Sequence, residues 1–261
     1  MTIFLHELKR NRLSLIIWSA ALSFMLAVCV LIYPIMAAAM DSMMGAFAEM
    51  EGFSEAFGMD QLATIDFMEY FAVECGEMLG LGGAIFAAIL GSGLLPKEER
   101  DRTAEFLLTH PISRARVVTE KLLAALTQIT LLNIAVAAIT LLSTLPINVD
   151  VHFGQMGLLF LSYYLLQIEI AAISIGISTF LRRGALGIGL GLSLAFYFIN
   201  LLANITEDLE FLKYVTPFAY ADGTYIVTNT AIDVKFVLIG LGLTVLAILA
   251  AYRKYTKKDI A

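Results

Sequence analysis

The sequence has little charge and few cysteines. Charged residues make up 15% of the 261 positions and hydrophobic residues 59%, with a mean hydropathy of +0.83. A typical soluble domain is about 25% charged, and disordered chains are low in hydrophobic residues. This composition excludes a disordered chain and argues against a soluble domain, because so small a fold cannot bury that much apolar surface. The two cysteines, Cys29 and Cys75, exclude a disulfide scaffold and a four-cysteine zinc site.

Motifs for catalysis are also missing. The sequence contains no Gly-x-x-x-x-Gly-Lys-[Ser/Thr] phosphate-binding loop, and no glycine is followed directly by lysine. The Glu98–Glu99 pair is similar to part of a prenyl-protease motif, but Thr103 stands where that motif has arginine. The three histidines lie far apart and show no metal-ligand spacing. We therefore expect no enzyme activity, no bound cofactor or metal, and no nucleic-acid partner.

Six long uncharged runs account for the apolar excess. About 20 consecutive apolar residues are needed to cross a bilayer, and a helix satisfies its own backbone groups there. The runs predict an all-α membrane protein with six spans in one transmembrane domain over residues 1–261. The predicted spans lie near residues 14–36, 75–95, 120–142, 156–180, 185–204 and 235–252.

The basic residues predict the orientation of these spans. Fifteen of the 17 lysines and arginines fall in the two termini and in the loops around residues 97–121 and 182–183. Loops rich in lysine and arginine remain on the cytoplasmic side. Both termini are therefore predicted to be cytoplasmic, in a multi-pass protein of a prokaryotic cell membrane. The opposite face then carries mostly carboxylates.

Little of the chain lies outside the spans. Residues 4–12 place Phe4, Leu5 and Leu8 on one helical face among basic residues, which predicts an amphipathic helix at the cytoplasmic interface. The alternative is a plain positive flank. Residues 41–73 form the longest predicted external loop, and apolar residues at helical spacing predict a surface helix within it. Short external helices are also expected within residues 205–233.

The loop over residues 96–120 is the most informative of these segments. It places Phe106, Leu107 and Leu108 among charged residues, in a helix too short to cross a membrane. Such an apolar surface favours docking into a groove of a partner protein. The alternative is that the leucines pack beneath the membrane.

This loop resembles the coupling segment of type-2 ABC exporter permeases. That pattern has an acidic and basic run, Glu-x-Leu-Leu, Pro-[Ile/Val]-Ser-Arg, and then a lysine. The matching residues are Thr103, Glu105, Leu107, Leu108, Pro111, Ile112, Ser113, Arg114 and Lys121, whereas Arg102 replaces a common glycine.

The resemblance implies a mechanism. Two permease subunits, identical or different, pair above two ATPase subunits that bind ATP and Mg²⁺. A coupling helix between spans 2 and 3 docks into the ATPase and moves the spans. The expected coupling residues are Glu99, Thr103, Glu105, Leu107, Leu108, Pro111, Ser113 and Arg114, with Arg182 and Arg183 in the next cytoplasmic turn as a second contact.

Polar residues within the spans suggest a further role. Glu169 is the one ionisable residue deep inside a predicted span, and Gln128 and Asn133 lie in span 3. An intramembrane carboxylate marks a substrate path or a hydrogen-bonded packing contact. Both interpretations remain open. Gly187 and Gly191 form a Gly-x-x-x-Gly motif, which is typical of close helix packing inside the chain or at a dimer interface.

The sequence therefore predicts the membrane subunit of an ATP-driven exporter that acts in efflux. Its expected partners are the lipid bilayer, an ATPase subunit and a second permease subunit. Two alternatives remain: a secondary carrier or channel that uses Glu169, and a membrane anchor or sensor that transports nothing. The substrate is not indicated.

Overall fold

Every regular element in the described part of the chain is helical. The computed structural model describes residues 2–48, 66–96, 113–181, 185–205 and 207–257. Six of the helices found there are long and apolar enough to cross a membrane. The prediction of an all-α protein with six spans is therefore confirmed. Each predicted span overlaps one of the six helices.

Short helical elements lie between some of the long helices. The long helices are α1 (Thr2–Ala48), α2 (Phe67–Leu94), α3 (Arg114–Thr144), α4 (Phe153–Ser178), α5 (Ala185–Ile205) and α7 (Val234–Lys257). The short elements are α6 (Gly223–Asn229) and the 3-10 helices Leu145–Ile147, Glu207–Tyr214 and Pro217–Ala221. Short helices were expected between spans 5 and 6, and the last two 3-10 helices and α6 lie there.

Helix α1 is longer than the predicted span. It runs without a break over 47 residues, with Pro34 inside it. Residues 4–12 are thus helical but continuous with the span, so the structure does not separate them as an interfacial helix of their own. Their position at the membrane surface stays a prediction. The predicted external helix is described only as far as Ala48, where it is a continuation of α1.

Helix α2 begins earlier than expected. The Asp66 side chain accepts a hydrogen bond from the Met68 amide, and the helix begins at Phe67, eight residues before the predicted start near 75. Residues Phe71–Cys75 form one π-helical turn, and Gly76–Leu94 continue as α-helix. The predicted loop over residues 41–73 is consequently too long at both ends.

Helix α4 lies at the centre of the bundle. It packs against α2, α3, α5 and α7, while α1 packs along α3. Its buried residues recur every three or four positions, as in Leu159, Tyr163, Leu166 and Ile170. We call the end of the bundle where α1 and α3 begin and α2 ends the base. The opposite end, where α2 begins and α5 ends, is called the far end.

Candidate functional site

A buried lysine connects three helices at the base. Lys121 in α3 is fully buried, and its Nζ donates a hydrogen bond to the backbone carbonyl of Leu94 at the end of α2. The same Nζ lies 3.8 Å from Oε1 of Glu7 in α1. Burial of a charge is unfavourable without a partner of opposite charge, and Glu7 is itself only 1% exposed. The ion pair therefore fixes the relative position of α1, α2 and α3.

The neighbouring Glu120 strengthens the same junction. Its Oε2 accepts hydrogen bonds from the amides of Ile3 and Phe4, at 3.1 and 3.2 Å. These amides belong to the first turn of α1, where a carboxylate is favoured by the free N–H groups and the helix dipole. Oε1 of Glu120 accepts a hydrogen bond from Arg116 Nε at 2.9 Å. We call Glu7, Glu120, Lys121 and the Leu94 carbonyl the base cluster.

The base cluster lies where the predicted coupling segment joins the bundle. Residues 97–112 lie outside the described residues, and so do 182–184. The expected roles of Glu99, Thr103, Glu105, Leu107, Leu108, Pro111, Arg182 and Arg183 therefore stay predictions. Ser113 and Arg114 are described. The Ser113 hydroxyl accepts a hydrogen bond from the Arg116 amide and caps α3, so α3 begins at Arg114, within the motif and six residues before the predicted span.

A second group of polar side chains joins α3 to α4. Asn133 Nδ2 donates to Gln167 Oε1 at 2.6 Å, and both side chains are buried. Gln167 lies against Gly83 of α2, where the Cβ of any other residue would collide with its amide. Hydrogen bonds of this kind hold transmembrane helices together. Gln128 does not join the pair, because its Nε2 donates to the Ala124 carbonyl one turn earlier in its own helix.

Glu169 is directed to a different part of the bundle. Its Oε2 accepts a hydrogen bond from the Tyr220 hydroxyl at 2.9 Å, and it lies against Gly240 of α7. Residues two positions apart in a helix point to nearly opposite sides, so Glu169 faces away from Gln167. The described hydrogen bonds thus do not connect Glu169 with Asn133 or Gln128. The other carboxylate oxygen of Glu169 is buried without a hydrogen-bond partner among the described residues.

The segment between α5 and α7 brings Tyr220 to Glu169. The Thr216 hydroxyl accepts from the Phe218 amide and donates to the Phe196 carbonyl of α5, which starts the 3-10 helix Pro217–Ala221. Tyr220 is 4% exposed. Burial, with the nearby Glu169 carboxylate, raises the pKa of the Tyr220 hydroxyl well above its ordinary value. The hydroxyl therefore keeps its proton and is the donor of the hydrogen bond.

The glycines of α5 differ in their surroundings. A Cβ at Gly189 would meet the Ser92 side chain and the Ala88 carbonyl of α2. At Gly187 and Gly191, by contrast, a Cβ would have no described atom within 4 Å outside the helix itself. Gly189 thus permits close packing inside the chain. The Gly187–Gly191 face is open.

A large cleft lies at the far end. It has a volume of about 730 Å³ and is bounded by α2, α4, α5 and the segment over residues 210–224. Its polar lining includes Glu77, Tyr163, Tyr197, Lys213 and Asp222. Pockets of roughly 300–1,000 Å³ are typical of small-molecule sites. These residues come from separate elements and meet only through the fold.

The chain as a whole matches a family model described as ABC-2 family transporter protein, over residues 1–260. The chain belongs to the ABC-2 transporter family. The resemblance read from the loop motif is thereby confirmed, and the six long helices are those of a multi-pass ABC-2 permease. Membrane subunits of this family lack ATPase domains, in agreement with the missing phosphate-binding loop. Comparison with curated proteins gives no match.

Residues of the base cluster were only partly evident from the sequence. Lys121 belongs to the matched motif, but its partners Glu7 and Leu94 lie 114 and 27 positions away. No pattern in the sequence distinguishes Glu7 and Glu120 from solvated carboxylates.

Proposed function

We propose that this ABC-2 permease is the transmembrane subunit of an ATP-driven exporter and is coupled to a separate ATPase subunit. Family membership is the observation that carries the proposal. The distribution of basic residues supports a cytoplasmic location for the base, where an ATPase would bind. In this arrangement, residues 97–112 contact the ATPase, and ATP and Mg²⁺ bind to the partner alone.

The base cluster supplies a physical route for coupling. The predicted coupling segment connects the end of α2 with the start of α3, and Lys121 joins those two ends. Glu7 and Glu120 attach the first turns of α1 to the same point. A displacement of the segment would therefore move three spans together instead of bending one loop. A rigid connection of this kind is required if closure of the ATPase is to rearrange the bundle.

A second permease subunit is part of the proposal. The open Gly187–Gly191 face of α5 suits close approach of another helix, since small residues let backbones come together in a membrane. The partner subunit is either identical or homologous. The chain itself would contribute half of the translocation path.

The test is coexpression of the tagged chain with an untagged ABC ATPase from the same organism. We expect an untagged ATPase to copurify and to hydrolyse ATP in lipid discs. Leu107→Asp and Arg114→Glu should abolish the stimulation of ATPase activity by the permease, while Arg253→Glu, a charge reversal at an exposed arginine of α7, should not. Unchanged stimulation of ATPase activity in both Leu107→Asp and Arg114→Glu would contradict the proposed coupling.

Glu169 supports one alternative, a secondary carrier. A buried carboxylate with one oxygen unpartnered among the described residues is the kind of group that carriers protonate. Proteoliposomes without ATPase distinguish the two functions, because a carrier moves its substrate along an ion gradient and the proposed exporter moves nothing.

A further inference from the structure

The far-end cleft is bordered by the hydroxyl of a largely buried tyrosine, Tyr163. Tyr163 is 3% exposed, and its hydroxyl lies over Gly76, where any side chain would collide with it. This hydroxyl has no hydrogen-bond partner among the described residues and borders the cleft. A buried polar group normally finds a partner in the protein or in a bound molecule. Tyr163 thus offers a hydrogen bond to whatever occupies the cleft.

Negative charges outnumber positive charges in the lining of the cleft. The Nζ atom of Lys213 lies 3.7 Å from Oε1 of Glu210, so these two opposite charges largely compensate each other. Glu77 and Asp222 remain, and both line the cleft together with Tyr163. Asp222 uses one oxygen to cap α6 by accepting from the Tyr225 amide. The lining therefore has a surplus of negative charge.

Aromatic rings form part of the same wall. Tyr197 and Phe218 pack edge to face, with ring centroids 5.6 Å apart, and both line the cleft. The Glu77 carboxylate lines the cleft together with both rings. Aromatic faces beside carboxylates attract organic cations, because the π-electrons and the negative charge act together.

We propose that the far-end cleft binds a drug-sized organic cation, with Glu77 and Asp222 facing its charge and the Tyr163 hydroxyl forming a hydrogen bond with it. An anionic molecule of the same shape would be rejected by the two carboxylates. This inference deepens the proposed exporter function by naming its substrate class. The cleft would be the site from which the cation leaves the protein on the external side.

Two dyes with the same xanthene ring system test the charge requirement. Rhodamine 6G is a permanent cation, and fluorescein is an anion at neutral pH. Binding is measured by fluorescence anisotropy with the purified full-length permease in discs of zwitterionic lipid, and empty discs give the partition into lipid. We expect saturable binding of rhodamine 6G and none of fluorescein. Equal binding of both dyes, or binding of neither, would overturn the proposal.

Matched variants locate the site. Glu77→Gln should weaken rhodamine 6G binding by about tenfold, equivalent to ~1.4 kcal/mol. Glu74→Gln is the control, since Glu74 is exposed one turn earlier in α2 and does not line the cleft. Tyr163→Phe keeps the ring against Gly80 and removes only the hydroxyl, so it should weaken binding without unfolding. Affinity unchanged in Glu77→Gln and Tyr163→Phe would exclude this cleft.

The assay contains no ATPase, so its result is independent of the test of coupling. A permease that copurifies with an active ATPase but binds no cation would leave the exporter function standing and remove this substrate class. Cation binding without any ATPase partner would retain the site and remove the exporter.

Discussion

Lys121 and Glu7 form a buried ion pair, with Nζ 3.8 Å from Oε1, between residues that are 114 positions apart. The Lys121 side chain is fully buried and that of Glu7 is 2% exposed. Removing one member of such a pair leaves an uncompensated charge, whereas removing both members is often tolerated. The pair is thus a sensitive point in the connection between α1 and α3.

We expect Lys121→Met to lower the free energy of unfolding by about 3–5 kcal/mol, the usual effect of breaking a buried pair. The double variant Glu7→Gln with Lys121→Met should be less destabilised than the sum of the two single variants. Denaturant unfolding in detergent measures the cycle. Lys257→Met, at an exposed position of α7, is the control. Strict additivity would show that Glu7 and Lys121 do not interact.

Gly189 and Gly187 offer a contrast within one helix. Gly189→Leu would push a side chain into Ser92 and Ala88, and overpacking of this kind destabilises a fold by about 1–3 kcal/mol. Gly187→Leu meets open space and should leave thermal stability intact. Mass photometry then reports the oligomer. A dimer lost only in Gly187→Leu and Gly191→Leu supports an interface on this face, and an intact dimer in both contradicts it.

Asn133 and Gln167 should show coupled effects on stability. Asn133→Leu leaves the buried Gln167 amide without its partner, and we expect a loss of about 0.6 kcal/mol and at most about 1.7 kcal/mol, the average and the maximum for hydrogen bonds between membrane helices. Adding Gln167→Leu should then have a smaller effect than it has alone. A double-mutant cycle by thermal unfolding measures this coupling. A coupling energy near zero would mean that the hydrogen bond does not hold α3 to α4.

Substitution of Glu169 distinguishes a structural role of its carboxylate from a role in transport. In Glu169→Gln the amide oxygen still accepts from Tyr220, so the packing of the 3-10 helix Pro217–Ala221 on α4 should survive. Tyr220→Phe removes the donor and should lower the melting temperature. If the carboxylate serves packing alone, Glu169→Gln retains wild-type transport in ATP-energised vesicles. A Gln variant that is stable but inactive would instead place Glu169 on the substrate path.

The spans were predictable because charge is excluded from the membrane interior, and each predicted run overlaps a long helix. Helix ends were less predictable. Asp66 starts α2 by capping it, and α1 continues past Asp41, since a helix does not have to end where the membrane ends. The family was recognisable from a short loop motif over residues 99–121.

The contacts of the polar residues could not be derived from spacing. Glu169, Gln128 and Asn133 were grouped by depth alone, but Glu169 bonds to Tyr220 of a short 3-10 helix and Asn133 to Gln167. The cleft could not be predicted either, because Glu77, Tyr163 and Asp222 come from three separate elements. Rotation of each helix about its axis decides these pairings, and a single sequence does not specify that rotation for helices that are apolar on every side.

The unbroken course of α1 has a mechanical consequence. At 1.5 Å per residue its 47 residues extend about 70 Å, more than twice the ~30 Å thickness of the hydrocarbon layer. One end of this rod is anchored at Glu120 and Lys121, and the helix packs along α3. A small tilt imposed at the base is therefore converted into a larger sideways displacement at Ala48. In this way α1 acts as a lever, with its short arm at the ion pair and its long arm on the other side of the membrane.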